Sequence, residues 1–110
     1  GWAIINVGEW HRAWGGLLHN VVTGETAFNH EFEMGYWEYL AQNPQDDEAF
    51  NQAFSENSAM ALAAVVEAYD FTGIETLVDV GGGQGALISG ILKATPTLQG
   101  ILFDQPNVIA

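Results

Sequence analysis

Four glycines within five residues, Gly81, Gly82, Gly83 and Gly85, follow the apolar run Leu77-Val78-Asp79-Val80, and an acid, Asp104, stands 19 residues beyond Gly85. An aliphatic, β-branched run closing on glycines is the sequence form of a buried strand that turns sharply into a helix, whose first N–H groups face outward. Glycines there meet three physical needs: positive φ in the turn, backbone approach to a ligand without a Cβ in the way, and close strand-to-helix packing. Gly81, Gly83 and Gly85 spell G-x-G-x-G, and through Ala86 the same residues satisfy G-x-G-x-x-A. Alone that pattern is weak; an acid at the tip of the next strand strengthens it, because one carboxylate can accept hydrogen bonds from both hydroxyls of an adenosine ribose.

Two adenosine compounds compete for such a turn, a dinucleotide such as NAD and S-adenosylmethionine. The first wants its diphosphate over the helix N-terminus. The second presents a zwitterionic amino acid and a sulfonium, and Asp79, two residues before Gly81, suits an ammonium or the hydrogen bonds of a tight loop better than a diphosphate. A bland alternative keeps the glycines as a packing turn and Asp104 as a loop cap.

The elements that must position these residues are a strand over Thr76–Val80, a helix over about Gly85–Ala94 stopped by Thr95-Pro96, and a second strand over Gly100–Phe103. Strand, helix and strand of this length form a parallel βαβ unit with a right-handed crossover. Gln105-Pro106 then allows a helix over 107–110.

Everything upstream reads as helical. Trp10, Trp14, Leu17, Leu18 and Val21 fall at helical spacing, predicting one amphipathic helix over Glu9–Val22 that packs closely against a neighbour at Gly15-Gly16. A second helix is predicted over Glu31–Leu40 and a third from Asn43-Pro44, where Asn43 can cap and Asp46, Asp47 and Glu48 complement the helix dipole. Ser55-Glu56-Asn57-Ser58 is expected to kink that helix or start another, before a turn at Asp70-Phe71-Thr72-Gly73.

Hydrophobic residues make up 48% of the 110-residue chain, enough for a core but short for a complete doubly wound domain. Fourteen acids against Arg12 and Lys93 give a formal charge of -12, which disfavours nucleic acid and anionic membranes as partners. Cysteine is absent, in keeping with a cytoplasmic protein, and no apolar run approaches the roughly 18 residues a membrane helix needs. Beginning at Gly1-Trp2, the chain reads as a processed product or a fragment.

The combination LVDVGGGQGALISGILKATP and GILFDQPNVI, with the upstream NP, FNQAF and TGETAF segments, resembles the S-adenosylmethionine-dependent O-methyltransferases of the plant caffeic-acid and bacterial polyketide-tailoring type, over nearly the whole chain. The resemblance implies an α/β fold: N-terminal helices followed by the first βαβ unit of a Rossmann-like methyltransferase sheet, a partial domain. It divides the chain into a helical dimerisation and junction segment over 1–73 and a cofactor-binding unit over 74–110. It implies S-adenosyl-L-methionine or S-adenosyl-L-homocysteine as cofactor, with Gly81, Gly82 and Gly83 along the methionine end, Asp104 on the ribose, Gln105 beside the adenine and Ser58 near the amino-acid part; Asp79, from its place two residues before Gly81, joins them as a cofactor-binding candidate. Gln105 stands where an apolar residue is usual, and Phe54 where a Met is common.

Members of the family run to roughly three times this length, with a dimerising winged-helix region and a full catalytic domain. Their catalytic histidine lies well downstream of the second strand, so none of His11, His19 and His30 matches it, and no catalytic residue is expected here. Interfacial or capping roles suit the three histidines; a metal site from His11 and His19 lacks a third ligand, and none is expected. The resulting expectation is the cofactor half of an enzyme that methylates a hydroxyl of a small aromatic or polyketide-like molecule. It would bind as a homo-oligomer, a dimer with exchanged helices being one form. Two other readings stand beside it: a self-associating module without a ligand, and an NAD-binding fragment.

Overall fold

A computed structural model describes residues 2–109. These form two compact units, one running up to Phe50 and the other from Asn51 onward.

The first unit is all helical: α1 (Trp2–Val7), α2 (Glu9–Gly15), α3 (Leu17–Thr23), α4 (Ala27–Phe32) and α5 (Tyr36–Gln42), with the opening of α6 (Pro44–Ala68). The single helix predicted over Glu9–Val22 is two, because Gly16 departs from helical geometry at φ -89 and ψ 13 and its N–H turns back to the Ala13 carbonyl. The close approach expected at the glycine pair does occur, since a Cβ on Gly16 would lie 2.9 Å from the Ala27 Cβ. The helix predicted over Glu31–Leu40 is likewise divided. Thr26 starts α4 earlier by accepting the Asn29 N–H on its hydroxyl, and Glu33 ends it in the left-handed region at φ 55.

Aromatic rings fill this unit. Phe28 stacks on Phe32 with centroids 4.4 Å apart and meets Tyr36 and Tyr39 edge-on at 4.9 and 5.5 Å. Pairs of this kind contribute about 0.5–1.5 kcal/mol each beyond the area they bury. Ile5, Ala27 and Leu40 are buried around them, together with the carboxylate of Glu9, which accepts from the Tyr36 hydroxyl at 3.4 Å.

Helix α6 runs unbroken through Ser55–Ser58, where a kink or restart was expected. Pro44 occupies its first position and Asp46 and Asp47 its first turn. Asn43 spends its side-chain amide on the Tyr39 carbonyl, the end of α5, while its own carbonyl accepts from Asp46 and Asp47 N–H groups.

The second unit continues α6 into the turn closed by the Thr72 N–H on Asp70 Oδ1; the Thr72 hydroxyl first, and then this N–H, hold the Asp70 carboxyl below its usual range. It then forms β1 (Thr76–Val80), α7 (Ala86–Ala94), β2 (Gln99–Phe103) and α8 (Pro106–Ile109); Ala110, the end of the helix predicted over 107–110, lies outside the described residues. The strands pair in parallel, Thr76 opposite Gln99 through Val80 opposite Phe103. Ile88 and Ile91 of α7 are buried with Leu98 against one face of this two-stranded sheet, whereas Val78, Val80, Ile101 and Phe103 on the other are exposed. No helix is long and apolar enough to cross a membrane among the described residues.

The tyrosines give the first unit an alkaline limit. Burial, and then the hydrogen bond to Asp46, push the Tyr39 hydroxyl up to about 12, and burial with the nearby Glu9 charge moves Tyr36 in the same direction. A proton held more tightly by the folded state than by the unfolded one stabilises fully below the unfolded value, about 10 for tyrosine, and that contribution disappears as pH rises through the folded value. Loss of helical circular dichroism between about pH 10 and 12, in step with tyrosinate absorbance measured in a Tyr69→Phe background that leaves Tyr36 and Tyr39 as the tyrosines, is the expected outcome; tyrosinate appearing in that background with the helices intact contradicts it.

Candidate functional site

The strand β1 delivers the chain to Gly81, whose N–H donates to the Phe103 carbonyl at 2.8 Å and so extends the parallel ladder by one step. The turn that follows closes through the Gly85 N–H on the Gly82 carbonyl at 3.0 Å, and Ser89 N–H on the Gly85 carbonyl begins the α7 ladder. The glycines are required for two different reasons. Gly83, at φ 58, has nothing within 4 Å of where a Cβ would stand, so the left-handed backbone demands glycine there. Gly82 has no such φ; a Cβ on it would lie 2.5 Å from Leu102 Cδ1 and 2.6 Å from Asp79 Cγ, so space demands it.

Asp104, half-buried at the end of β2, is drawn onto this turn. Its Oδ2 accepts the Gly83 N–H and its Oδ1 the Gln105 N–H, each at 2.7 Å. A carboxylate oxygen has two acceptor positions, so each oxygen keeps one, side by side, for a pair of neighbouring hydroxyls. Asp79 sits beneath the same turn, and its Oδ2 is buried without a hydrogen-bond partner. A buried acceptor left unpaired costs on the order of 1–3 kcal/mol, and a ligand ammonium or a shifted loop N–H would satisfy it.

Of the residues singled out in the sequence, the structure gathers Asp79, Gly81, Gly82, Gly83, Asp104 and Gln105 at one end of the sheet. Ser58 is half-buried on α6, and no hydrogen bond joins it to the turn among the described residues. Its neighbour one helical turn earlier makes that link: Ser55 Oγ donates to Gln84 Oε1 at 3.5 Å. Sequence reasoning also passed over Leu102, the side chain under Gly82 and Gly85. The two-residue alternation of Ile101, Leu102 and Phe103 was the available signal, since it turns Leu102 to the opposite face from its neighbours. Lys93, the cation of this unit, lies in the last turn of α7, at the helix end remote from the glycines. In the helical unit, Trp10, Trp14, Leu17 and Phe28 line a groove of about 280 Å³.

The family model of the O-methyltransferase domain matches residues 14–110. The chain belongs to this family. Among curated relatives, the phenazine O-methyltransferase PhzM of Lysobacter antibioticus is 49% identical over 106 residues, covering 96% of this chain and 31% of the relative. The LaPhzM crystal structure superposes with a TM-score of 0.92 at 49% identity, over 96% of this chain and 32% of that one. An O-methyltransferase from neocarzinostatin biosynthesis, solved with S-adenosyl-L-homocysteine and 1,4-dihydroxy-2-naphthoic acid, gives 0.84 at 28% identity, over 93% of this chain and 31% of that one. The chain therefore spans about a third of the length of the curated relatives it matches.

For the glycine turn, Gly82→Ala separates space from conformation. The added methyl meets Leu102 and Asp79, and overpacking of this kind costs about 1–3 kcal/mol. In a domain of this size that lowers the melting temperature by several degrees, roughly 4–8 °C per kcal/mol. An unchanged melting curve would show that Leu102 gives way freely.

Proposed function

We propose that this chain is the cofactor-binding part of an O-methyltransferase that holds S-adenosyl-L-methionine or S-adenosyl-L-homocysteine on the glycine turn. The observation that carries the reading is the Asp104 carboxylate, fixed by two backbone N–H groups with one acceptor position left on each oxygen. That arrangement suits the two vicinal hydroxyls of a ribose. Charge supports the sulfonium cofactor over a dinucleotide. Of the two basic residues, Arg12 is engaged with Glu31 at 2.7 Å and Lys93 stands at the wrong end of α7 for a diphosphate. Bound S-adenosylmethionine would bring a methyl group carried on a positively charged sulfur.

In this reading the backbone edges of Gly81, Gly82 and Gly83 receive the methionine end and the orphaned Asp79 Oδ2 its ammonium. Asp104 orients the ribose, Gln105 borders the adenine, and Ser58 stands towards the amino-acid part. These residues hold and orient; methyl transfer then gains chiefly from proximity to an acceptor hydroxyl, and the residue that removes the hydroxyl proton is not assigned to this chain. Segment 74–110 opens the cofactor-binding unit, and 1–73 supplies dimerisation and junction helices. Small aromatic or polyketide-like molecules are the acceptor class of the whole protein, a choice supported by the aromatic lining of the groove at Trp10, Trp14 and Phe28. A cytoplasmic setting goes with this function.

Calorimetric titration with S-adenosylhomocysteine tests the site. Asp104→Asn removes the charge that strengthens both hydroxyl bonds and sets an amide NH2 against one of the two backbone N–H groups; such bonds contribute about 1.5–3 kcal/mol each, so affinity should fall at least about tenfold, in a variant shown by circular dichroism and its melting curve to be folded. Equal affinity in the variant, or binding of NAD alone, would overturn the assignment.

Self-association is the second part of the proposal. Trp14, Leu18, Val21 and Val22 of α2 and α3 are 65–75% exposed, a run of apolar side chains that suits burial against a second copy, by helix exchange or by face-to-face packing. Light scattering on the purified chain should give a dimer mass; a monodisperse monomer sinks this part of the reading.

A further inference from the structure

Helices α3 and α4 are joined by a short connection that the backbone fixes at several points. Gly24 caps α3 in the left-handed region at φ 77, with its N–H on the Asn20 carbonyl. The Asn20 side-chain oxygen accepts the Ala27 N–H at 2.8 Å, and the Thr23 hydroxyl bridges the His19 carbonyl and the Glu25 N–H at 2.8 and 3.1 Å. The consequence is a meeting of three side chains far apart in type from the aromatic core beside them: His19 from α3, Glu25 from the connection and His30 from α4.

His19 Nε2 lies 2.8 Å from Glu25 Oε2, and the His19 and His30 rings stack with centroids 3.8 Å apart. One donor atom from each of the three residues falls within 4.8 Å of the others. His11, the partner considered from sequence spacing, is not part of this group.

We infer that His19, Glu25 and His30 form a binding site for one divalent transition cation, zinc above all, on the α3–α4 connection. Two imidazoles and a carboxylate are a donor set that borderline cations accept and that leaves a position for water. Magnesium and calcium, which take oxygen ligands, are poorly served by it. Donors around a tetrahedral zinc lie roughly 3.3 Å apart, so the group must draw in by an ångström or so, and the stacked rings must turn out of parallel to aim their lone pairs at one ion. Glu25 and His30 are exposed and have room to do so, while His19 is held at half-burial as the fixed point. The chain's formal charge of -12 raises the cation concentration at its surface. A bound ion clips the two helices across their connection, a structural role apart from the glycine turn.

Zinc titration of the whole 110-residue chain by calorimetry tests the site. One ion per chain is expected, with His30→Ala and Glu25→Gln each weakening binding roughly tenfold or more through loss of a donor, and with His11→Ala leaving it unchanged. Far-UV circular dichroism confirms that each variant is folded. Independently of any variant, zinc should shift the imidazole proton resonances of His19 and His30 as their stack opens, and leave those of His11 in place. Equal affinity in His30→Ala, displacement of zinc by equimolar magnesium, or shifts spread over all three histidines would overturn the site and mark diffuse binding to an acidic surface.

Discussion

The second unit depends on one hydrogen bond, from the Gly83 N–H to Asp104 Oδ2. It joins the end of β2 to a turn that begins at the end of β1, and it can form only when the parallel register sets Val80 opposite Phe103. The glycines, the packing of Leu102 beneath them and the start of α7 all follow from holding that turn in one conformation. A charged acceptor on a backbone N–H is among the stronger hydrogen bonds, which fits its position where the end of one strand meets the turn that leaves the other. It also leaves the carboxylate facing outward with capacity to spare, so the same group that closes the turn is available to a ligand.

Most of that unit was legible in the sequence because its signals are local and punctuated. The apolar run Leu77–Val80 ends in glycine, Thr95-Pro96 stops the helix, and Asp104 marks the tip of a five-residue strand. What could not be read was which physical need each glycine serves. Gly82 and Gly83 look alike in a sequence, and only the positions of Leu102 and Asp79 show that one is constrained by space and the other by φ. The missing partner of Asp79 Oδ2 was equally invisible, since burial is a property of the folded chain.

The helical unit was harder, and its errors share a cause. Hydrophobic spacing reports which residues face a core but says little about where the backbone interrupts itself. Trp10, Trp14, Leu17 and Leu18 keep helical periodicity across Gly16, yet the chain turns there, at a point where Ala27 leaves no room for a Cβ. Glu33 gives no compositional warning of a left-handed residue; the ring cluster of Phe28, Phe32 and Tyr39 fixes the turn around it. In the opposite sense, Ser55–Ser58 looked like a break and is continuous helix, tertiary context outweighing a weak local preference. The meeting of His19 with His30 belongs to the same class, being produced by a connection whose geometry rests on Asn20, Thr23 and Gly24.

The parallel pairing of β1 with β2 also carries an entropic cost. Antiparallel strands can close through a two-residue hairpin, but these two meet only after the whole of α7 has been looped across. Loop-closure entropy must be overcome before that contact returns anything, whereas the helices of the first unit and α6 draw on neighbours in the chain. The cradle around Gly83 and Asp104 therefore rests on a contact between segments about twenty residues apart. A small molecule that grips both ends of it would favour the paired register, because it binds the closed cradle and not the open chain.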